Sequence, residues 1–216
     1  MKLNSDLTFQ TLLPTSGNRA ALDACIEFAI QDARFNFLLL HGPPAVGKTH
    51  LLHAIHHATR KLKPKLRVLL ITCETWTDEL LGAIRSERTD EFCEKYHRMD
   101  MLLMDDVQIL TGRPITQQTV ADCIASLTRN GNNAALAHSG PLSAIPFLVP
   151  TNRIKPDEKT LVLEIGPPTT EEMIAIIWRK FANRYPKMPS NFVRDACSNA
   201  HGDIRRAEGR SQKDFH

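Results

Sequence analysis

The segment 38–55, LLLHGPPAVGKTHLLHAI, constrains this chain more than any other. An apolar run, residues 37–40, meets a loop holding Gly42, Gly47, Lys48 and Thr49, and an amphipathic helical pattern follows at Leu51, Leu52 and Ile55. Strand, G-x-x-x-x-G-K-[ST], helix is the context in which a phosphate-binding loop works. Glycines at both ends let the backbone curl so that successive N–H groups point inward at phosphate oxygens. The helix starting near Lys48 adds the positive end of its dipole, and Lys48 adds a full charge. Thr49 offers a hydroxyl to Mg2+. The cradle comprises Gly42, Pro43, Pro44, Ala45, Val46, Gly47, Lys48, Thr49 and His50. Pro43 and Pro44 have no N–H, so its donors must come from Ala45 through His50. A positive φ at Ala45 would cost about 1 kcal/mol.

The rest of the chain alternates in the manner of a parallel α/β sheet. Residues 20–33 read as a helix capped near Asn18, with Leu22, Cys25, Ile26 and Ala29 on one stripe. Further strands are expected at 68–71, 101–104, 134–138 and 161–165. Helices are expected at 75–85, 89–96 and 116–127, and residues 140–160 carry four prolines that keep most of that stretch irregular. Strands that are apolar throughout imply a sheet covered on both faces. After Gly166-Pro167-Pro168 the pattern is helical only, at 170–185, 191–199 and 203–209. The expected fold is therefore a five-stranded parallel P-loop core, residues 1–165, followed by a small all-α lid, residues 166–216, that stops part-way through a helix.

Composition narrows the setting. With 216 residues, 42% hydrophobic and 24% charged, the chain has the make-up of an ordinary globular protein. A net charge of +3 permits nucleic-acid contact without arguing for it. Five dispersed cysteines with no C-x-x-C pair, no apolar leader and no run long enough to cross a membrane read as a cytoplasmic protein with mostly buried, reduced thiols. The basic connection 61–65 reads as a solvated loop. His50, His53, His56 and His57 read as a partly exposed helix face rather than a zinc site, and Trp76 and Trp178 as packing anchors rather than base-stacking platforms.

Residues 99–106, MDMLLMDD, form a second motif: an apolar strand that delivers two acids at its C-terminal end. In a parallel sheet that end faces the same crevice as the phosphate loop. Asp105 is placed to hold Mg2+ through water, and Asp106 to orient or deprotonate an attacking water.

With both motifs in view, the chain resembles the AAA+ ATPase domain of the bacterial replication initiator DnaA family over nearly its whole length. The matching residues are Gly17-Asn18-Arg19, Gly47-Lys48-Thr49-His50-Leu51, Ile84-Arg85, Asp100 with Leu102-Leu103-Met104-Asp105-Asp106-Val107-Gln108, Ile145-Pro146, Pro167-Pro168, Ile204-Arg205 and Glu208-Gly209. The resemblance implies that Arg205 is the sensor II arginine reaching from the lid to the ATP phosphates. It also implies that single-stranded DNA is gripped by the paired helices and the turn after the two acids, where Leu81 and Arg113 fall, and that Arg153 is the arginine finger. The family's sensor I stretch, which ends its strand with a polar residue, an acid and an arginine, is here His138-Ser139-Gly140-Pro141. Ser139 is the group left there to hydrogen-bond a phosphate or water, and Ile115 stands where the family tends to carry a second base for DNA. No helix-turn-helix pattern follows the lid, so sequence-specific duplex binding is not expected of this segment.

These readings converge on an initiator-like module that binds ATP or ADP with Mg2+ as a conformational and assembly switch and hydrolyses slowly. Its expected partners are single-stranded DNA, further copies of itself, a full-length initiator, or a helicase. Two other readings remain: a stand-alone regulatory paralogue acting through protein contacts, and a helicase-loader or transposase-type ATPase subunit that binds single strands.

Overall fold

A computed structural model describes residues 2–31, 33–148, 159–181, 190–198, 203, 204 and 206. Five strands, β1 Phe37–Gly42, β2 Val68–Thr72, β3 Met101–Asp105, β4 Asn133–Ser139 and β5 Thr160–Glu164, form one parallel sheet in the order β2-β3-β4-β1-β5. Helices α1 Arg19–Ile30, α2 Lys48–Leu62, α3 Cys73–Arg85, α4 Thr89–His97 and α5 Pro114–Arg129 cover it, and α6 Thr170–Phe181 and α7 Ser190–Ser198 follow.

The two-residue period of the strands divides the core in two. On one face Phe37 and Leu39 of β1, Leu102 and Met104 of β3, and Ala134 and Leu136 of β4 pack with Trp76, Phe92, Tyr96, Val120 and Ile124. On the other, Leu38, Leu40, Met101, Leu103, Ala135 and Ala137 pack with Leu22, Phe28, Leu51, Leu52 and Ile55 of α1 and α2. β4 has no β-branched residue, yet it forms because β1 and β3 hydrogen-bond it on both sides and its alanines leave room for neighbouring side chains. Trp76 is fully buried and meets the rings of Phe92 and Tyr96 edge-on, at 5.2 and 5.9 Å between centroids, which locks α3 to α4. Trp178, on α6, is half-buried.

Element ends differ from the sequence reading in instructive ways. Asn18 makes no side-chain cap to α1. Its Oδ1 accepts the Thr15 N–H at 2.8 Å and its Nδ2 donates to the Leu13 carbonyl, so it folds the approach to the helix instead. The helix stops at Ile30 rather than near residue 33, because Gln31 turns left-handed and bonds back to Glu27 and Phe28. Thr169 and Glu172 form a reciprocal capping box on α6. Of the lid helix expected at 203–209, only residues 203, 204 and 206 are described. Among the described residues no helix is long and apolar enough to cross a membrane.

Candidate nucleotide site

The loop from β1 to α2 lies at the C-terminal edge of the sheet, where Asp105 ends β3 and Ser139 ends β4. Two glycines shape it. Gly42 has φ 146°, and a Cβ there would lie 2.2 Å from the Ile165 carbonyl oxygen. Gly47, at φ 102°, is the residue before the first turn of α2. Between them Ala45 adopts φ 65°, so the loop does take the strained left-handed turn without glycine.

Lys48 is 5% exposed, and its Nζ donates to the Gly42 carbonyl at 3.0 Å and the Pro43 carbonyl at 2.6 Å. The ammonium thus sits inside the loop that it is expected to serve. The Thr49 side chain lies beside the Asp105 carboxyl, which brings together the two residues singled out for a metal across the strand order. Burial raises the Asp105 carboxyl above the ordinary carboxylate range, opposed by the adjacent Thr49 side chain and the nearby Lys48 charge. Asp105 Oδ1 also accepts the Asp106 N–H at 2.9 Å. Asp106 is exposed and left-handed at φ 58°, so the backbone turns sharply after β3 and throws its carboxylate out of the strand.

Two contributors were not legible in the sequence. The segment before α1, read there only as polar, runs across the site. The Leu12 side chain approaches Gly47, and Gly17 packs so closely on Gly166 that a Cβ would meet its carbonyl oxygen at 2.5 Å. The Ser16 N–H donates to Glu172 on α6 at 2.6 Å, and Arg179 of α6 donates to the Gln10 carbonyl. The histidines of α2 hold the same segment. His50 Nε2 bonds the Thr8 carbonyl and His57 Nε2 the Asn4 carbonyl, each at 2.8 Å, while His53 Nδ1 accepts the Asn4 N–H at 3.4 Å. His53 is 2% exposed, so this face is less open than its polarity implied. The spacing 50, 53, 57 was the available signal, because it puts the three rings on one stripe. The second contributor is Gln108, taken up below.

Leu81, 44% exposed on α3, and Arg113, directly before α5, flank the short 3-10 turn Val107–Leu110, which packs against α3. Ile84 and Ile115 are exposed beside them in sequence. Arg153 and Arg205 lie outside the described residues. At the end of β4, His138 is buried and its Nε2 donates to the Pro141 carbonyl, whereas its Nδ1 has no partner. The Ser139 backbone N–H is given to Gln108.

A 2-3-4-1-5 parallel sheet with a phosphate loop after β1 and paired acids after β3 defines a P-loop nucleotide-binding fold of the AAA+ type. Residues 3–145 match the sequence model of the bacterial DnaA ATPase domain, and the chain belongs to that family. It is 34% identical over 208 residues to the chromosomal replication initiator protein DnaA of Thermomicrobium roseum, covering 96% of this chain and 44% of that protein. It is 33% identical over 209 residues to that of Thermus thermophilus, covering 96% and 48%. The chain thus spans about half the length of the curated relatives it matches. The crystal structure of domain III of the Thermotoga maritima replication initiation protein DnaA superposes with a TM-score of 0.86 at 28% identity, over 97% of this chain and 87% of that one. A replication initiator DnaA bound to AMPPCP and single-stranded DNA shares the fold, with a TM-score of 0.81 at 22% identity over 98% and 65% of the two chains.

Proposed function

We propose that this chain is the nucleotide-binding module of a replication initiator, which holds ATP or ADP with Mg2+ in the loop 42–50 and uses it as a conformational and assembly switch with slow hydrolysis. The observation that carries the reading is the buried Lys48, whose Nζ sits inside the loop on the Gly42 and Pro43 carbonyls, with the Thr49 side chain and the Asp105 carboxyl brought side by side next to it. The site's chemistry fits the proposed groups. Hydroxyl and carboxylate oxygens are the donors that a small hard cation takes, and Asp105 is a buried carboxylate whose charge a cation would compensate. The loop offers N–H groups from Ala45 onward and the ammonium of Lys48 to phosphate oxygens. When bound, Mg2+ would supply charge neutralisation to the phosphates.

In this reading Lys48 trades its two carbonyl partners for phosphate, Thr49 and Asp105 hold the metal, and Asp106 orients or deprotonates the attacking water. Arg205 contacts the phosphates from the lid and Arg153 acts as the finger toward a neighbouring subunit. Residues 1–165 serve as the core and 166–216 as the lid. The segment 4–18, tied to both α2 and α6, is well placed to feel the lid move. DnaA in complex with AMPPCP and single-stranded DNA supports nucleotide as the ligand and single strands as a partner; in this reading Leu81 and Arg113 contact the strand. The lack of an acid and an arginine after His138 supports slow turnover.

Titration with a fluorescent ATP analogue at millimolar Mg2+ tests the reading. Wild type binds, and Lys48→Ala loses about 100-fold or more in affinity, whereas Asp106→Ala binds normally and releases no phosphate. Normal binding by Lys48→Ala overturns the site. A wild-type chain that ignores nucleotide and single strands but captures a full-length initiator overturns the switch in favour of a regulatory partner.

A further inference from the structure

Gln108 joins the two acids to the end of β4. Its Nε2 donates to Asp106 Oδ1 at 2.8 Å, and its Oε1 accepts the Ser139 backbone N–H at 3.0 Å. This pairing fixes which way the amide points: a backbone N–H can be met only by the carbonyl end, so the NH2 end must face the carboxylate. Gln108 itself is half-buried on the short 3-10 turn Val107–Leu110, a turn that packs against both β4 and α3. Asp106 needs such a tether. It is exposed, its backbone is left-handed, and its own N–H is spent on Asp105. Hydrogen bonds therefore link Asp105, Asp106, Gln108 and Ser139 in succession. The Ser139 hydroxyl takes no part in this chain.

We propose that Gln108 is the positioning residue of the hydrolytic carboxylate: its amide, aimed by the end of β4, holds Asp106 Oδ1 and leaves Oδ2 to accept from water. The inference rests on the reading of Asp106 as the water-orienting acid. It gives the end of β4 a route to the reaction that needs no acid or arginine of its own, because β4 contributes a main-chain N–H that any residue there supplies. A shift of β4 relative to β3 would then be felt at Asp106 through one side chain.

Three single variants, one double variant and two kinds of measurement test it. Gln108→Glu keeps the volume and the acceptor for Ser139 N–H but removes the donor to Asp106, whereas Gln108→Ala removes both. If Gln108 positions Asp106, both variants bind the fluorescent ATP analogue within about twofold of wild type. Both then lose roughly 10- to 100-fold in single-turnover phosphate release with KM unchanged. A packing role would instead leave Gln108→Glu near wild type, and that result overturns the proposal. The second measurement needs no nucleotide. In urea unfolding of Gln108→Ala, Asp106→Ala and the double variant, the double shifts the midpoint by clearly less than the sum of the single shifts. Additive shifts show that the two side chains do not hold each other and overturn the proposal. A wild-type chain that binds ATP yet releases no phosphate defeats the hydrolytic reading instead, and the unfolding cycle still decides whether Gln108 holds Asp106.

Discussion

Two corners of the same sheet edge are built on opposite plans. At the β1–β3 corner every charged group is matched. Lys48 bonds two carbonyls, Asp105 accepts from the Asp106 N–H with the Thr49 side chain beside it, and three unusual backbone turns, at Gly42, Ala45 and Gly47, hold the loop between them. Among the described residues, the end of β4 itself, His138-Ser139-Gly140-Pro141, carries no acid, lysine or arginine. His138 keeps one ring nitrogen unpartnered in the interior, and Ser139 contributes only its backbone N–H. Strain is retained at the first corner because the surrounding contacts over-determine it. The second corner, paired to β1 through the sheet, meets the Asp106 side chain through Gln108.

Gly42→Ala breaks the first corner most severely. Its Cβ would meet the Ile165 carbonyl oxygen at 2.2 Å on a backbone of positive φ, so stability falls by more than about 3 kcal/mol, read by urea unfolding, and nucleotide binding is lost with it. Acid acts next, on the histidine face of α2 and at the β4 corner. Burial is the first cause lowering His53, to about 4, with the neighbouring histidines adding to it, and burial likewise lowers His138. Both rings are neutral when folded at neutral pH, and the unfolded chain takes up their protons first. Stability is therefore full above about pH 6.5 and declines as pH falls towards 4, by up to about 3 kcal/mol for His53. The measured slope between pH 6.5 and 4 flattens in His53→Gln if the assignment is right.

Ala45→Gly relieves the left-handed strain in the loop without removing any hydrogen bond. Its gain is at most about 1 kcal/mol, offset in part by the added freedom of the unfolded chain. Affinity for ATP stays within twofold. Ser139→Ala sharpens the contrast with the smallest effect: because only its main chain is engaged, stability and phosphate release stay near wild type. A large loss of turnover would return the hydroxyl to the site.

Much of this was legible because it is local. The alternation of strands and helices, the loop between Gly42 and Thr49 and the acids ending β3 are fixed by residue period and spacing within short windows. Even the cost at Ala45 could be read, since a P-loop turn forces a positive φ on whichever residue stands there. Asn18 does stand at the N-cap position of α1, but its side chain is engaged by the Thr15 N–H and not by the helix. The histidine stripe of α2 looked like a solvated face because its cover, the segment 4–11, comes from some forty or more positions away in sequence.

The sequence alone determined the fold class, the phosphate loop and the identity of the acids, since each depends on neighbours along the chain. Only the tertiary structure decided that Thr49 meets Asp105, that the segment before α1 ties α2 to α6, and that Gln108 spans from Asp106 to β4. Those contacts join residues up to 169 positions apart. A strand order of 2-3-4-1-5 sets which of them become neighbours. Hydrogen bonds act over about 3 Å, so no spacing along the chain reveals them until the sheet has brought its strand ends together.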